Sequence, residues 1–242
     1  KRLQIASIRE KELSEGPWVF TSRTTVTRIP TFIGMKLPEN SELLDDVLNR
    51  ENPPEQAIMA AKYLLDRGVY DFVDTYWSSS FGFKNRIIFP FKQGDRIVGY
   101  TGRDVTGNAE SKYMTKQPKD FLYNSDKIRE DKTFLIVVEG TIDAAVLDCI
   151  AIMSNEASQK QVDYINQFKG EVVVCPDRDN AGKKLIHQAQ ENGWSVSFPI
   201  WEEHIKDACD SVKEYGKLYT LKSIIDGRIS NSTKISVKTR IM

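Results

Sequence analysis

The sequence predicts an α/β protein in which a parallel sheet flanked by helices follows a smaller α+β subdomain. Two patterns lead to this prediction. From residue 133 onward, short apolar runs alternate with amphipathic segments, an order typical of strand–helix crossover units and a parallel sheet. Before residue 130, the chain has one strong helical pattern and two strand-like runs around a glycine turn.

The first 130 residues are predicted to form the smaller subdomain. Residues 1–40 lack a sustained period and contain three proline steps, which favours loops and short strands. A helix is predicted over Glu55–Arg67, because Ala and Leu recur there at helical spacing between a Pro-Pro pair and Gly68. Two strand-like runs, 85–92 and 95–101, surround a short glycine-containing loop that is typical of a β-hairpin.

Residues 131–227 are predicted to form the main domain. Four strands with three intervening helices are expected there, over residues 134–138, 142–150, 151–153, 158–168, 171–175, 181–191 and 194–199. The last segment, residues 228–242, is polar and basic, so we expect a flexible tail or a docking segment.

Composition excludes several classes of protein. The 242 residues contain 34 Lys and Arg against 34 Asp and Glu, and no apolar run approaches the roughly 20 residues of a membrane-spanning helix. The three cysteines are odd in number and widely spaced, which argues against a disulfide scaffold. The sequence contains no C-x-x-C pair, which argues against a zinc knuckle. We therefore expect a cytoplasmic protein with free thiols. Residues 82–132 carry a basic excess, a pattern that fits a polyanionic partner.

Acidic residues follow the strands of the predicted parallel sheet. Glu139 comes directly after the first strand, Asp177 and Asp179 after the third, and Asp207 after the fourth. Ligands collect beyond the carboxyl ends of parallel strands. In an extended chain, residues two apart point the same way, so the Asp-x-Asp pair is expected on one side. Crowded carboxylates need a neutralising cation, and hard oxygen ligands suit Mg²⁺ or Mn²⁺.

Each acidic motif also has a structural explanation by itself. Asp-x-Asp is common in surface turns, and a Glu-Gly pair after a strand often caps the next helix. The combination of these motifs in one alternating unit favours the metal site. Asp210 is a candidate extension of the cluster.

These acidic motifs carry a family resemblance. Residues 134–216 resemble a Toprim domain, the acidic α/β module of DnaG-type primases, topoisomerases and some nucleases. The matching motifs are V-E-G at Glu139, D-R-D-N-A-G starting at Asp177, and K-D-A-C-D ending at Asp210. The primase version of the last motif usually reads K-D-P-D, so this chain departs from the family there, and the role of Asp210 stays open.

The preceding region resembles the amino-terminal half of the primase RNA-polymerase core. It contains, in the family's order, R-I-I-F-P starting at Arg86, G-Y-T-G-R ending at Arg103, K-Y at Lys112 and Tyr113, and L-Y-N ending at Asn124. Residues 63–68 resemble a helical motif of the same region. The resemblance covers residues 57–220, and small bacteriophage replicative primases look most similar.

The resemblance implies a DNA primase catalytic core that synthesises short RNA primers from NTPs on single-stranded DNA. It implies binding of Mg²⁺ or Mn²⁺ by Glu139, Asp177 and Asp179, with Asp207 as a further ligand. Glu139 is either a metal ligand or a general base.

Basic and aromatic residues of the first subdomain are expected to contact the nucleic acid or the nucleotide. Phosphate contacts are expected at Arg86, Arg103 and Lys112, and Tyr113 is a candidate platform for a base. The implied partners are single-stranded DNA, NTPs and a replicative helicase, without a membrane, in the cytoplasm of a bacterial or phage-infected cell.

Two other functions use the same features. A Toprim nuclease or topoisomerase-like enzyme would cleave phosphodiesters at the same acidic cluster, and a non-catalytic replisome scaffold would carry a decayed site. The chain begins at Lys1 rather than Met, so we expect it to be a piece of a longer protein. The zinc module usual in DnaG-type primases is absent from this chain: it has been removed, is supplied by another polypeptide, or is replaced by a different way of starting primers.

Overall fold

The computed structural model of the protein describes residues 30–180 and 182–241. Within these residues, the chain forms two five-stranded sheets, one antiparallel and one mostly parallel, with helices flanking the parallel one. The predicted α/β class, with a parallel sheet preceded by an α+β part, is therefore confirmed. The loops and short strands predicted for residues 1–29 lie outside the described residues.

The antiparallel sheet forms the amino-terminal part, and its strands lie side by side in chain order. They are β1 (Ser41–Leu43), β2 (Tyr76–Ser78), β3 (Arg86–Gln93), β4 (Arg96–Asp104) and β5 (Tyr113–Lys116). β3 and β4 form the predicted hairpin, where Gly94 takes a left-handed φ of 58°. Arg86 pairs with Asp104 and Arg103 with Tyr113, so the start of β3, the end of β4 and the start of β5 share one edge.

Two helices, α1 (Leu44–Leu48) and α2 (Glu55–Arg67), precede the hairpin. The bounds predicted for α2 are confirmed. It begins after Pro54 and ends at Gly68, whose left-handed φ of 67° few other residues adopt without strain. Ala57, Ala60 and Leu64 are buried along one face of α2. This burial fixes the last turn of α2 beside the second half of the protein.

The second sheet has the order β10-β9-β8-β6-β7. Its strands are β6 (Phe134–Val138), β7 (Ile150–Ala151), β8 (Glu171–Val174), β9 (Ser195–Ser197) and β10 (Arg228–Ile229). β6 to β9 pair in parallel, and β10 is antiparallel to β9. The helices are α3 (Thr141–Leu147), α4 (Gln159–Ile165), α5 (Gly182–Glu191), α6 (Ala208–Tyr215), α7 (Lys217–Asp226) and α8 (Ser232–Ile241). Across the described ranges, no helix combines the length and apolarity that crossing a membrane requires.

Residues 228–241 differ from the predicted tail, because they form β10 and α8. Ile235 is 1% exposed and belongs to the core under α5. The side-chain amide of Gln190 in α5 donates to the hydroxyls of Ser232 and Ser236, each at 3.0 Å. The sequence pattern missed α8 because one buried isoleucine among polar residues produces no visible helical period.

One hydrophobic core joins the two parts of the chain. It contains Phe91 from β3, Phe121 from the connection between the sheets, and Val138 from β6. The Phe91 and Phe121 rings stack with centroids 5.5 Å apart. A second cluster fills the opposite face of the parallel sheet. Because the first cluster is continuous, residues of both sheets line a common cleft.

Candidate active site

A cleft of about 550 Å³ lies between the two sheets. Four carboxylates of the second half belong to its lining, and they are Glu139, Asp143, Asp177 and Asp207. Cationic and aromatic side chains of the first half also line it, and they are Tyr63, Arg67, Arg103, Lys112 and Tyr113. The same cleft therefore offers groups for cations and for anions.

Glu139 and Asp177 meet at the carboxyl ends of two adjacent parallel strands. β6 and β8 are neighbours, with Val137 level with Val174, so the residues that follow each strand emerge side by side. The backbone N–H of Asp177 donates a hydrogen bond of 3.2 Å to Oε1 of Glu139. Side chains that are distant in sequence are thus brought together as predicted from the sheet topology.

Asp179 does not share the orientation expected for an Asp-x-Asp pair in an extended chain. Residues 175–180 form an irregular loop after β8, so alternation along a strand no longer applies. Asp179 is exposed, and its Oδ1 accepts a 3.0 Å hydrogen bond from the backbone N–H of Gly182 at the start of α5. Asp177, by contrast, lines the cleft. The backbone of residue 182 approaches the carbonyl oxygen of Asp177 closely. Only glycine permits this approach, since a Cβ at Gly182 would lie 2.3 Å from that oxygen.

The carboxyl groups of the cleft resist ionisation. Burial raises the pKa of Glu139 to about 7, and the charges of Asp179 and Asp143 act in the same direction. Burial also raises the pKa of Asp177 to about 7, with further contributions from Glu139, Asp207 and Asp179. These mutual effects show that the acidic residues form one electrostatic cluster. Such a cluster favours the binding of a cation.

Asp143 is a member of the cluster that the sequence analysis missed. It lies in the first turn of α3 and is 7% exposed, and its Oδ1 accepts a 2.8 Å hydrogen bond from the backbone N–H of Cys209. Burial raises its pKa, followed by the charges of Asp207 and Asp177. Its position four residues after Glu139, in the turn that follows the motif, was the available signal.

Arg67 at the end of α2 was also missed as a site residue, although its motif was noted. Its guanidinium pairs with Asp207 at 3.1 Å and with Asp210 at 2.6 Å. The other carboxylate oxygen of Asp207 caps α6 by accepting from the backbone N–H of Asp210 at 2.7 Å. Asp207 therefore lies in the cleft with both carboxylate oxygens hydrogen-bonded. Asp210 does not line the cleft, and it is connected to it through its ion pair with Arg67.

Arg178 connects the loop of Asp177 to the segment that leads to Asp207. Its guanidinium donates to the carbonyl oxygens of four residues, Pro199, Trp201, Glu202 and Ile205, at 2.6 to 3.3 Å. Its backbone N–H donates to the carbonyl of Lys206 at 3.0 Å. Arg178 also lies 5.3 Å from the centroid of the Trp201 ring. These bonds fix the separation of two acidic segments.

Arg103 belongs to the basic part of the cleft and lies near two tyrosine rings. Its guanidinium lies 4.8 Å from the centroid of the Tyr113 ring and 5.5 Å from that of Tyr63. Its Nε and Nη1 are buried without a hydrogen-bond partner in the described part of the chain. Buried donors normally have partners, so this arrangement is suited to an anionic ligand. Lys112, which is exposed, lines the cleft next to Tyr113.

Arg86 does not have the position expected of a phosphate contact. Its side chain is 6% exposed. The guanidinium donates to the carbonyl oxygens of Gly82, Gly102, Ser111 and Lys112, at 2.8 to 3.3 Å. This is a correction of the predicted role, and the physical reason is that the donors are already used to hold three backbone segments together.

Comparison with protein families assigns the two parts of the chain separately. Residues 27–128 match the family described as DNA primase catalytic core, N-terminal domain. Residues 136–212 match the Toprim-like family.

Curated relatives are bacterial DNA primases. A DNA primase of Staphylococcus epidermidis is 32% identical over 163 residues, which cover 61% of this chain and 26% of the relative. A DNA primase of Staphylococcus aureus is 29% identical over 196 residues, which cover 74% of this chain and 32% of the relative. The matched region thus spans a third or less of the length of these relatives.

Solved structures share the fold at low sequence identity. The RNA polymerase domain of Mycobacterium tuberculosis primase matches with a TM-score of 0.60 at 15% identity, over 78% of this chain and 80% of that chain. A DnaG primase catalytic domain bound to single-stranded DNA matches with a TM-score of 0.55 at 18% identity, over 76% and 74%.

The parallel sheet with its acidic carboxyl edge defines a Toprim-type α/β protein. The antiparallel sheet that precedes it belongs to the region matched by the N-terminal domain of the DNA primase catalytic core. The two domains therefore follow one another in the order of that catalytic core. The chain therefore belongs to the DNA primase catalytic core family.

This family uses a divalent metal ion, and the residues of the cleft fit one. The available donors are carboxylate oxygens, which Mg²⁺ and Mn²⁺ prefer. Burial raises the pKa of Glu139 and of Asp177, and the charges of neighbouring carboxylates raise both further. Among the described residues, no group of three or more His, Cys, Asp or Glu side chains is placed so that it could hold a metal ion. Mg²⁺ in proteins is usually bound through one or two carboxylates, with water and substrate phosphates as the other ligands, and Glu139 and Asp177 are the pair that would hold it here.

Proposed function

We propose that this chain is a DNA primase catalytic core that synthesises short RNA primers from NTPs on single-stranded DNA. The observation that carries the proposal is the shared cleft, in which Glu139 and Asp177 line the same space as Arg103 and Tyr113. Nucleotidyl transfer on a template needs acidic groups at the reacting phosphate and basic groups for the nucleic-acid backbone. Both sets converge here.

In the proposed reaction, the 3′-hydroxyl oxygen of one nucleotide attacks the α-phosphorus of the next NTP. The new oxygen–phosphorus bond forms as the bond from the α-phosphorus to the α–β bridging oxygen breaks, so pyrophosphate leaves. The hydroxyl proton passes to a general base, for which ionised Glu139 is the candidate in the cleft, or to water. A divalent cation, when bound, would neutralise charge on the attacking and leaving oxygens.

The acidic residues have distinct proposed tasks. Glu139 and Asp177 are the direct cation ligands, since both line the cleft and their backbone contact fixes their separation. Asp179 supplies charge from the rim, and Asp207 stays a further ligand that would exchange Arg67 for the cation. The alternative role of Glu139 is that of a general base: burial raises its pKa to about 7, so its ionised form is well matched to accept a proton near neutral pH.

The basic residues bind and orient the substrates. Arg103 contacts a phosphate through its unpartnered nitrogens, and Lys112 supplies a second positive charge. Tyr113 is 43% exposed and lies against Arg103, so one face of its ring offers a stacking surface for a base.

The remaining parts of the proposal follow from the family. Single-stranded DNA and NTPs are the substrates, and a replicative helicase is the partner. The cation is Mg²⁺ or Mn²⁺, and the setting is the cytoplasm of a bacterial or phage-infected cell. A solved structure of this fold carries single-stranded DNA, which supports the choice of template.

Incubation of the chain with labelled NTPs, a single-stranded template and either cation tests the proposal. Short labelled RNA that depends on template and cation supports primer synthesis. Degraded template without RNA would instead identify a Toprim nuclease. An absence of both products, together with no cation binding by calorimetry, would identify a non-catalytic replisome component.

A further inference from the structure

The turn before β3 presents an aromatic side chain almost entirely to solvent. Phe81 is 98% exposed, more than any other large hydrophobic residue in the part of the chain that the structure describes. Single exposed apolar residues are common on protein surfaces. Phe81 differs from such residues in the order of its backbone and in its position relative to the cleft.

The turn that carries Phe81 is tied at both ends. The carbonyl of Ser80 accepts backbone hydrogen bonds from Phe83 at 3.1 Å and from Lys84 at 3.2 Å. The indole N–H of Trp77 donates to the carbonyl of Lys84 at 2.9 Å. An aromatic ring on an ordered turn loses little further entropy when it binds a ligand. The exposed ring is therefore preorganised for contact.

Arg86 fixes this turn to the rim of the cleft. Its guanidinium donates to the carbonyl of Gly82 at 3.2 Å and, on the other side, to those of Ser111 at 2.8 Å and Lys112 at 3.3 Å. Lys112 lines the cleft. Phe81 precedes Gly82, so its backbone is next to a residue held by the same guanidinium that holds Lys112 of the cleft lining. Buried Arg86 therefore links the turn that carries Phe81 to a segment that lines the cleft.

We propose that Phe81 is a stacking platform for a base of single-stranded DNA where the template passes the outer rim of the cleft. Lys84, three residues along the same turn, is exposed, as is Lys112. Proteins that bind single strands without sequence preference combine exposed aromatic rings with exposed cations, because every base has a flat face and every linkage a negative charge. The assignment rests on the proposed function and adds a contact outside the cleft.

Fluorescence anisotropy with two labelled oligothymidylates tests this platform. One oligonucleotide is short enough to occupy the cleft alone, and the other extends beyond it. Phe81→Ala is expected to weaken binding of the longer one about tenfold, the effect of losing one base stack, and to leave the shorter one unchanged. Phe81→Trp keeps an aromatic face and should bind the longer one as wild type does. Leu218→Ala, on α7, is the matched control, because Leu218 is 84% exposed and does not line the cleft.

Three results would overturn the platform: unchanged affinity of Phe81→Ala for the longer strand at low salt, an equal loss for both lengths, or the same loss in Leu218→Ala. Primer assays at saturating template then show whether the platform or the proposed function has failed. If Phe81→Ala binds normally and primers still form, only the platform is wrong. If the chain makes no primers but the length-dependent loss occurs, the platform stands and the proposed function fails.

Discussion

Oε1 of Glu139 accepts a 3.2 Å hydrogen bond from the backbone N–H of Asp177, which joins the ends of two parallel strands. The bond sets the spacing of two carboxylates that lie 38 residues apart in sequence. Because one partner is a backbone group, the Asp177 side chain can be changed without removing the bond. A substitution of the Asp177 side chain therefore tests its chemical role while the link between the two strand ends is kept.

Asp177→Asn is expected to reduce primer synthesis by about 100-fold or more, since a neutral amide is a poor ligand for a hard cation at the reacting phosphate. Binding of single-stranded DNA should be retained, because Arg103 and Lys112 are untouched. The measurement is the rate of labelled RNA synthesis beside an anisotropy titration. Asp163→Asn is the control, because Asp163 is a half-buried residue of α4 that does not line the cleft. Wild-type activity in Asp177→Asn would contradict the cation assignment.

Arg103→Ala is expected to weaken binding of template or nucleotide while the fold is retained. The slope of log affinity against log salt should fall by about one, the value for one phosphate contact. Arg129→Ala serves as the control, because Arg129 is exposed and pairs with Asp131 at 2.6 Å outside the cleft. An unchanged affinity and slope for Arg103→Ala at low salt would refute the phosphate contact.

Arg67→Ala is expected to destabilise the fold by about 1–3 kcal/mol, because Asp207 and Asp210 each lose a charged partner. Arg50→Ala is the matched control: Arg50 forms an ion pair with Glu42, but both side chains are more than 40% exposed. Its removal should cost about 0–1 kcal/mol. Urea unfolding of the three proteins measures the difference. Equal losses in the two variants would show that the cleft pair is no stronger than a surface pair.

The raised pKa of Asp177 predicts a pH dependence of stability in the absence of divalent cations. Burial raises this pKa to about 7, so the folded state binds more protons than the unfolded chain between the ordinary Asp value and that pH. The contribution of Asp177 to stability is therefore fully present below pH of about 4 and is lost as the pH rises through about 7. The charges of Glu139, Asp207 and Asp179 raise the pKa of Asp177 further, and that of Arg67 lowers it.

Asp177→Asn removes this titration, so its melting temperature in a chelating buffer should exceed that of the wild type above the raised pKa of about 7. The two proteins should converge as the pH is lowered, because the wild-type carboxyl becomes neutral as well. Addition of Mg²⁺ should stabilise the wild type alone. If the difference in melting temperature between the two proteins is the same at all pH values, the pKa of Asp177 is not raised in the folded protein.

Sequence patterns were sufficient to predict the class of fold, α2 with its bounds, the hairpin, and the strand ends that carry Glu139 and Asp177. These features depend on local period, on proline and glycine at element ends, and on the rule that parallel strands place their carboxyl ends at one edge. Each of them can be read from a short window of residues.

The partners of individual side chains could be identified only from the folded protein. Arg86 and Arg103 lie in similar basic motifs, yet Arg86 is consumed by four carbonyls and Arg103 keeps unpartnered nitrogens in the cleft. Asp143 and Arg67 join the acidic cluster only because α3, α6 and the end of α2 pack together. Local patterns specify where elements begin and end, but the partners of a charged group depend on which distant segments the core brings beside it.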